Sequence, residues 1–198
     1  MMKLSCHVPK GDLGIAFSGG PDSVAAATYF LRDRTRKITL FHMNHGTESS
    51  KEAEHFVRNW CCFKDVELVI DYARPEKPKD QSWEEHWRNA RYDFFHAQSL
   101  PIITGHNLDD QIETYLFNAF HGKPRLMPNQ NVNVLRPFLY MTKTEMKQFA
   151  PKYFVDPSNV DVGFARNRIR HNIVPEVRQI NPGIETTIKK MMRREYDG

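Results

Sequence analysis

Short β-prone runs alternate with longer stretches of helical spacing through the first 122 residues, and that alternation restricts the fold more tightly than any other feature. "LGIAFS" (13–18), "KITLFHMNHG" (37–46), "DVELVIDY" (65–72) and "PIITGH" (101–106) read as strands. Between them the spacing predicts helices. One runs from Pro21 to about Arg34, and a second spans 49–63 with Ala53, Phe56, Val57 and Trp60 on one face. A third crosses "WEEHWRNARYDFFHAQ", opened by Ser82 with Glu85 at capping-box spacing, and a fourth covers 108–122. Strand, helix and strand in succession close as right-handed βαβ units. The expected class is therefore α/β, a doubly wound and mostly parallel sheet. Beyond Gly122 the pattern weakens into an extended "VNVLRPF", a helix over "TKTEMKQFAPKYF" opened by Thr142, and a basic helix reaching Pro175. The expected organisation is a core over residues 1–122, with residues 123–198 completing it and ending in a short helical extension.

In open parallel sheets ligands gather at the carboxyl ends of the strands. Those tips are Ser18–Ser23, His42–Gly46 and Gly105–Asp110, all rich in Gly, His, Asn and Asp. "SGGPDS" lies between a strand and a helix. There, Gly19 and Gly20 let backbone N–H groups approach an anion, while Ser18 and Ser23 add hydroxyl donors. Two absences narrow the reading. No G-x-x-x-x-G-K-[ST] supplies a lysine for β and γ phosphates, and no G-x-G-x-x-G supports a dinucleotide. An acid, Asp22, stands instead within the loop, which makes sense beside polyphosphate if it helps hold Mg²⁺.

Composition fits one ordinary globular domain of 198 residues, 40% hydrophobic and 26% charged. The N-terminal stretch has no apolar signal region, and no window is long and apolar enough to span a bilayer. The three cysteines, Cys6, Cys61 and Cys62, lack metal spacing, so a reduced, cytoplasmic setting without a membrane is expected. Net charge is only +4, but the last third concentrates Arg166, Arg168, Arg170, Arg178, Lys189, Lys190, Arg193 and Arg194. Such a basic end is a candidate footprint for nucleic acid.

"SGGPDS" resembles the S-G-G-x-D-S loop of the PP-loop ATP pyrophosphatases, which split ATP between the α and β phosphates to adenylate a substrate. Later segments are similar to tRNA(Ile)-lysidine synthetases in particular. "FHMNHG" (41–46) resembles their H-x-N-H-G, and "EEHWRNARYDFF" (84–95) their E-x-x-x-R-x-x-R-Y-x-F. "ITGHNLDDQIET" (103–114) resembles their T-G-H-x-x-D-D-Q-x-E-T block. "VLRPFL", "DPSN" and "ARNRIRHNIVPEV" (165–177) follow in the family's order.

The resemblance implies an adenine-nucleotide α-hydrolase-like fold and a two-step reaction. ATP adenylates O2 of the wobble cytidine in a CAU anticodon, and free L-lysine then displaces AMP to leave lysidine. It implies that Ser18, Gly19, Gly20, Asp22, Ser23 and His106 hold ATP, with Asp22 on Mg²⁺. Asp110 and Glu113, three apart on a helix, share a face that can bind the lysine ammonium and accept its proton. Arg91 is expected to meet pyrophosphate or the adenylate, and Asp109, Arg166, Asn167 and Arg170 the tRNA anticodon region. The Trp83–Trp87 pair is expected to be core packing.

Two departures stand out: "FHGKPRL" replaces the family's glycine-rich turn, and the chain stops soon after the R-N-x-I-R helix. Longer members have further tRNA-binding domains there, so RNA selection is expected to rest on this domain itself, on a homo-oligomer or on a partner, or else to be relaxed. A tRNA thiolase of the same superfamily is the nearest rival, but adjacent Cys61–Cys62 cannot supply its C-x-x-C. A catalytically silent nucleotide- or RNA-binding module is the rival from another class.

Overall fold

The computed structural model describes residues 3–157 and 165–196. Its elements run β1 (Leu13–Ala16), α1 (Pro21–Phe30), β2 (Ile38–Asn44), α2 (Glu48–Lys64), β3 (Glu67–Tyr72), α3 (Trp83–His96), β4 (Ile102–Ile103) and α4 (Leu108–Phe120). There follow β5 (Gln130–Asn131), β6 (Val134–Leu135), α5 (Lys143–Lys147), α6 (Ala165–Arg168), a π turn (Ile169–Ile173), α7 (Val174–Ile180) and α8 (Ile184–Tyr196).

The six strands form one sheet in the order β3-β2-β1-β4-β6-β5, parallel except for the short β5–β6 hairpin. Side chains alternate across it as a period of two requires. Leu40, Ile103 and Leu135 point into a core with α1, α2 and Met146 of α5. Their neighbours Phe41, Ile102 and Val134 point into a second core with Phe94 and Phe95 of α3. Helices therefore cover both faces, which is why β2 is buried along its whole length. The doubly wound expectation holds. A third core joins Leu108 and Ile112 of α4 to Ile184, Ile188 and Met192 of α8. Residues 123–198 thus supply both a sheet strand, β6 beside β4, and the helix packed on α4.

Three element ends differ from expectation. Helix α1 stops at Phe30, not Arg34. Helix α5 keeps its predicted capping box between Thr142 and Glu145 but spans only Lys143–Lys147. Its last turn tightens to Phe149 N–Met146 O and Ala150 N–Lys147 O bonds before Pro151, which disfavours helix at the residue ahead of it. The basic helix does not end at Pro175. It widens into the π turn, where the Val174 N–H reaches back to the Ile169 carbonyl, and α7 carries the proline in its first turn. A proline has no N–H to give and its ring crowds the preceding turn; widening that turn accommodates both.

Candidate active site

Strand order reverses between β1 and β4, and the crevice at their carboxyl ends is where an open α/β sheet holds its ligand. The β1 tip is the Ser18–Ser23 loop. Gly19 takes φ +82°, a left-handed conformation that side chains rarely adopt, and Gly20 caps α1 with Pro21 in its first turn. No side chain caps α1, so its first amides keep their affinity for an anion. Ser23 Oγ donates to the Gly20 carbonyl at 2.9 Å and receives Ser18 Oγ at 3.2 Å, which fixes the loop's shape. The β4 tip presses against this loop. A Cβ on Gly105 would lie 2.4 Å from the Asp22 carbonyl oxygen, so only glycine permits the approach.

Between the tips lies a cavity of about 420 Å³ lined by Ser18, Gly20, Asp22, Ser23, His45, Arg88, Arg91, His106, Asp110, Arg166 and Arg170, among others. One side is cationic. Among the described residues no carboxylate pairs with Arg88 or Arg91; Arg88 lies over the Tyr92 ring at 4.9 Å. Burial pulls the Arg91 guanidinium below its ordinary pKa. His106 is bonded through Nδ1 to Thr104 Oγ1 at 2.7 Å. Burial first, and then Arg136, Arg166, Arg91 and Arg88, hold it far below the usual imidazole range, so it is neutral. Uncompensated cations beside a neutral imidazole suit a multiply charged anion.

The other side is acidic. Asp22 Oδ1 is buried with no partner among the described residues. Burial, followed by the charge of Asp110, pushes its pKa up to about 6. A buried carboxylate oxygen left open fits a hard cation, and Mg²⁺ is ordinarily held by one or two carboxylates with phosphate and water completing the shell. Among the described residues no three His, Cys, Asp or Glu side chains converge on a common metal position, so an ion held at Asp22 would need most of its oxygens from phosphate and water.

Arg170 ties the π turn to the two carboxylates of α4 that face the cleft. Its Nε and NH2 groups donate to Glu113 Oε1 and Oε2 at 2.7 and 2.9 Å, and NH2 lies 3.3 Å from Asp110 Oδ1. Glu113 is 3% exposed. Burial raises its pKa, and the Arg170 hydrogen bonds oppose that rise. The other Asp110 oxygen closes the α4 capping box by accepting the Asn107 N–H at 3.0 Å. Arg166 donates to Thr114 Oγ1 at 2.9 Å, with its Nε 4.0 Å from Glu113.

Ser18, Gly20, Asp22, Ser23, Arg91, His106, Asp110, Arg166 and Arg170 thus meet in one cleft. Gly19 shapes its loop, and Glu113 stands behind Arg170. Asp109 faces elsewhere: it accepts Arg178 at 2.7 Å and the Lys143 N–H at 2.7 Å, joining α4 to α7 and α5. Asn167 is absent from the lining. Of "DPSN", Asp156 lines the cleft and accepts Ser49 Oγ at 2.7 Å, while Ser158 and Asn159, like Asp161, lie outside the described residues. Arg88, three residues before Arg91 and able from sequence to reach the same phosphates, lines the cleft with it; His45 and Ser49 also line it and were not expected as site residues. Trp83, expected in the core, is 43% exposed.

A family model described as "PP-loop domain" matches residues 1–177. The chain belongs to the PP-loop family. Membership accounts for the Ser18–Ser23 loop at the sheet's reversal point. Two curated relatives are tRNA(Ile)-lysidine synthases. That of Staphylococcus aureus (strain COL) is 31% identical over 84% of this chain and 44% of its own length. That of Thermosipho africanus is 32% identical over 92% of this chain and 48% of its own. The chain therefore spans less than half the length of these relatives. Among solved structures, the NH3-dependent NAD synthetase from Campylobacter jejuni superposes with a TM-score of 0.52 at 14% identity, covering 92% of this chain and 84% of that one. This likeness establishes a shared α/β fold. No helix among the described residues is long and apolar enough to cross a membrane.

Proposed function

We propose that this PP-loop domain modifies tRNA. In this reading it spends ATP at the α–β bond to adenylate O2 of a wobble cytidine, then joins the ε-amine of free lysine to C2 with loss of AMP. The observation that carries it is the juxtaposition, across one crevice, of an open buried carboxylate oxygen at Asp22 with the cations Arg88 and Arg91, with which no described carboxylate pairs. That is the charge pattern a nucleoside triphosphate with Mg²⁺ presents in reverse. The similarity to lysidine synthases supplies the choice of substrate.

In this reading the Ser18–Ser23 amides and hydroxyls and His106 hold the nucleotide, and Asp22 with phosphate oxygens would hold Mg²⁺. When bound, Mg²⁺ neutralises the phosphates and stabilises departing pyrophosphate. Arg91 offsets the charge that develops as the α–β bond breaks. Asp110 and Glu113 give the negative field that draws an ammonium. Two bare carboxylates would raise the amine's pKa and hold its proton; Arg170 between them tempers that field. The amine then yields its proton to this cluster and attacks C2. Arg166, and Asn167 beside it, approach the RNA.

A thiolase reading is less well supported, because no cysteine lines the cleft. Cys61 is buried in the α2 core, with burial pushing its thiol up to about 12. The test incubates the protein with ATP, Mg²⁺, labelled lysine and a tRNA(Ile) transcript bearing CAU. Label is expected in the RNA with wild type and Glu48→Gln, and not with Asp22→Ala. Pyrophosphate without lysine transfer would point to another nucleophile, and nucleotide binding without turnover to a silent module.

A further inference from the structure

His45, Trp87 and Trp83 form a continuous aromatic column. The His45 and Trp87 rings stack with centroids 5.6 Å apart at 30°, and Trp87 and Trp83 follow at 5.7 Å and 34°. The column begins inside the cleft, since His45 lines it, and ends outside, where Trp83 is 43% exposed at the first residue of α3. Lys77 Nζ sits 5.9 Å from the Trp83 ring centre. Among the described residues no carboxylate pairs with Lys77, whose Nζ donates only to the neighbouring Pro78 carbonyl at 3.3 Å.

A packing role alone explains this poorly. Trp87 Nε1 and His45 Nδ1 are both buried with no partner among the described residues, a desolvation cost that aliphatic side chains would avoid. Burial also pulls His45 down to about 4, so it is a neutral ring at the base of the column. A row of flat rings with the Lys77 ammonium beside its outer end matches a run of bases with phosphate charge alongside. A mononucleotide confined to the cleft reaches His45 alone. A chain that continues out of the cleft reaches Trp83.

We infer that His45, Trp87 and Trp83 are a stacking platform for unpaired nucleobases of a single-stranded RNA segment flanking the base that enters the cleft. This rests on the reading of the substrate as RNA. The platform guides the strand out of the site by base stacking, which tolerates any sequence, while Lys77 takes up phosphate charge.

Tryptophan fluorescence tests it in a Trp60→Phe background, where the emission comes from Trp83 and Trp87. The protein is titrated with a CAU anticodon stem-loop, with a single-stranded oligouridylate, and with ATP–Mg²⁺. Both RNAs are expected to quench the emission. Trp83→Leu is expected to weaken RNA binding about tenfold and Trp83→Phe to restore most of it, with ATP affinity and thermal midpoint unchanged. Wild-type RNA affinity in Trp83→Leu overturns the platform and leaves the tRNA reading intact. Trp83-dependent binding of oligouridylate without stem-loop preference supports the platform and counts against that reading. No RNA binding by wild type overturns both.

Discussion

Asp22 combines two properties that pull apart: an oxygen with nothing to bond and burial that resists its charge. Its folded pKa of about 6 lies above the ordinary value of 3.8, so the native state binds the extra proton between those pH values. The penalty for ionising it is therefore absent below about pH 4 and fully present above about pH 6. Asp22→Asn is expected to raise stability at pH 7.5 by about 2 kcal/mol, with the gain vanishing as pH falls through that window. Thermal unfolding across pH 4 to 8 measures it, and ATP turnover by the same variant should be lost. Arg170 shows the opposite logic. Removing it leaves Glu113, 3% exposed, without its two-pronged partner and with only Arg166 at 4.0 Å, so Arg170→Ala should cost about 3 kcal/mol in denaturant unfolding. Arg170→Lys keeps the charge but not the two-pronged bond, and should recover only part of that loss.

At the scale of elements, the site depends on how closely two strand tips approach. Gly105→Ala places a methyl 2.4 Å from the Asp22 carbonyl and must push α1 from β4. The expected cost is about 1–3 kcal/mol with the fold kept, but ATP affinity, read by calorimetry, should fall much further than stability. The alternating β and helical runs made the sheet legible from sequence, because period-two and helical patterns report which face each residue buries. Leu40 and Phe41, pointing into different cores, are that pattern made physical. The Ser18–Ser23 loop and Asp110 were legible for a related reason, since glycines and acids at strand tips seldom serve packing. Illegible were the long-range pairings. Nothing local told that Asp109 would turn to Arg178, or that Arg170 would reach Glu113 across 57 residues. Nor did the sequence reveal that Pro175 would be absorbed by a π turn. That outcome depends on α7 having packed partners of its own, Val174 and Val177 in the α4–α8 core. Trp83 misled because i, i+4 spacing reports a shared face and not whether the face is covered.

Over the whole molecule, the charge is uneven in a way that fits a polyanion. Lys190, Arg193 and Arg194 lie on the exposed side of α8, whose other side is fixed to α4 by Ile184, Ile188 and Met192. Tyr196 donates to the Met127 carbonyl and Gln111 Nε2 donates to Tyr196 at 2.7 Å, so α8 is keyed to the helix that carries Asp110 and Glu113. Reversing Lys190, Arg193 and Arg194 to Glu should weaken tRNA binding and flatten its salt dependence while ATP affinity stays constant; a binding assay across salt concentrations reads both. In the proposed reaction the crevice between β1 and β4 breaks ATP at the α–β bond on behalf of an RNA base. Analysis of the products from labelled ATP tests it most directly. AMP and pyrophosphate, formed only with tRNA bearing a CAU anticodon and lost in Asp22→Ala, are the predicted result. ADP and phosphate, or AMP formed equally well without RNA, would contradict it.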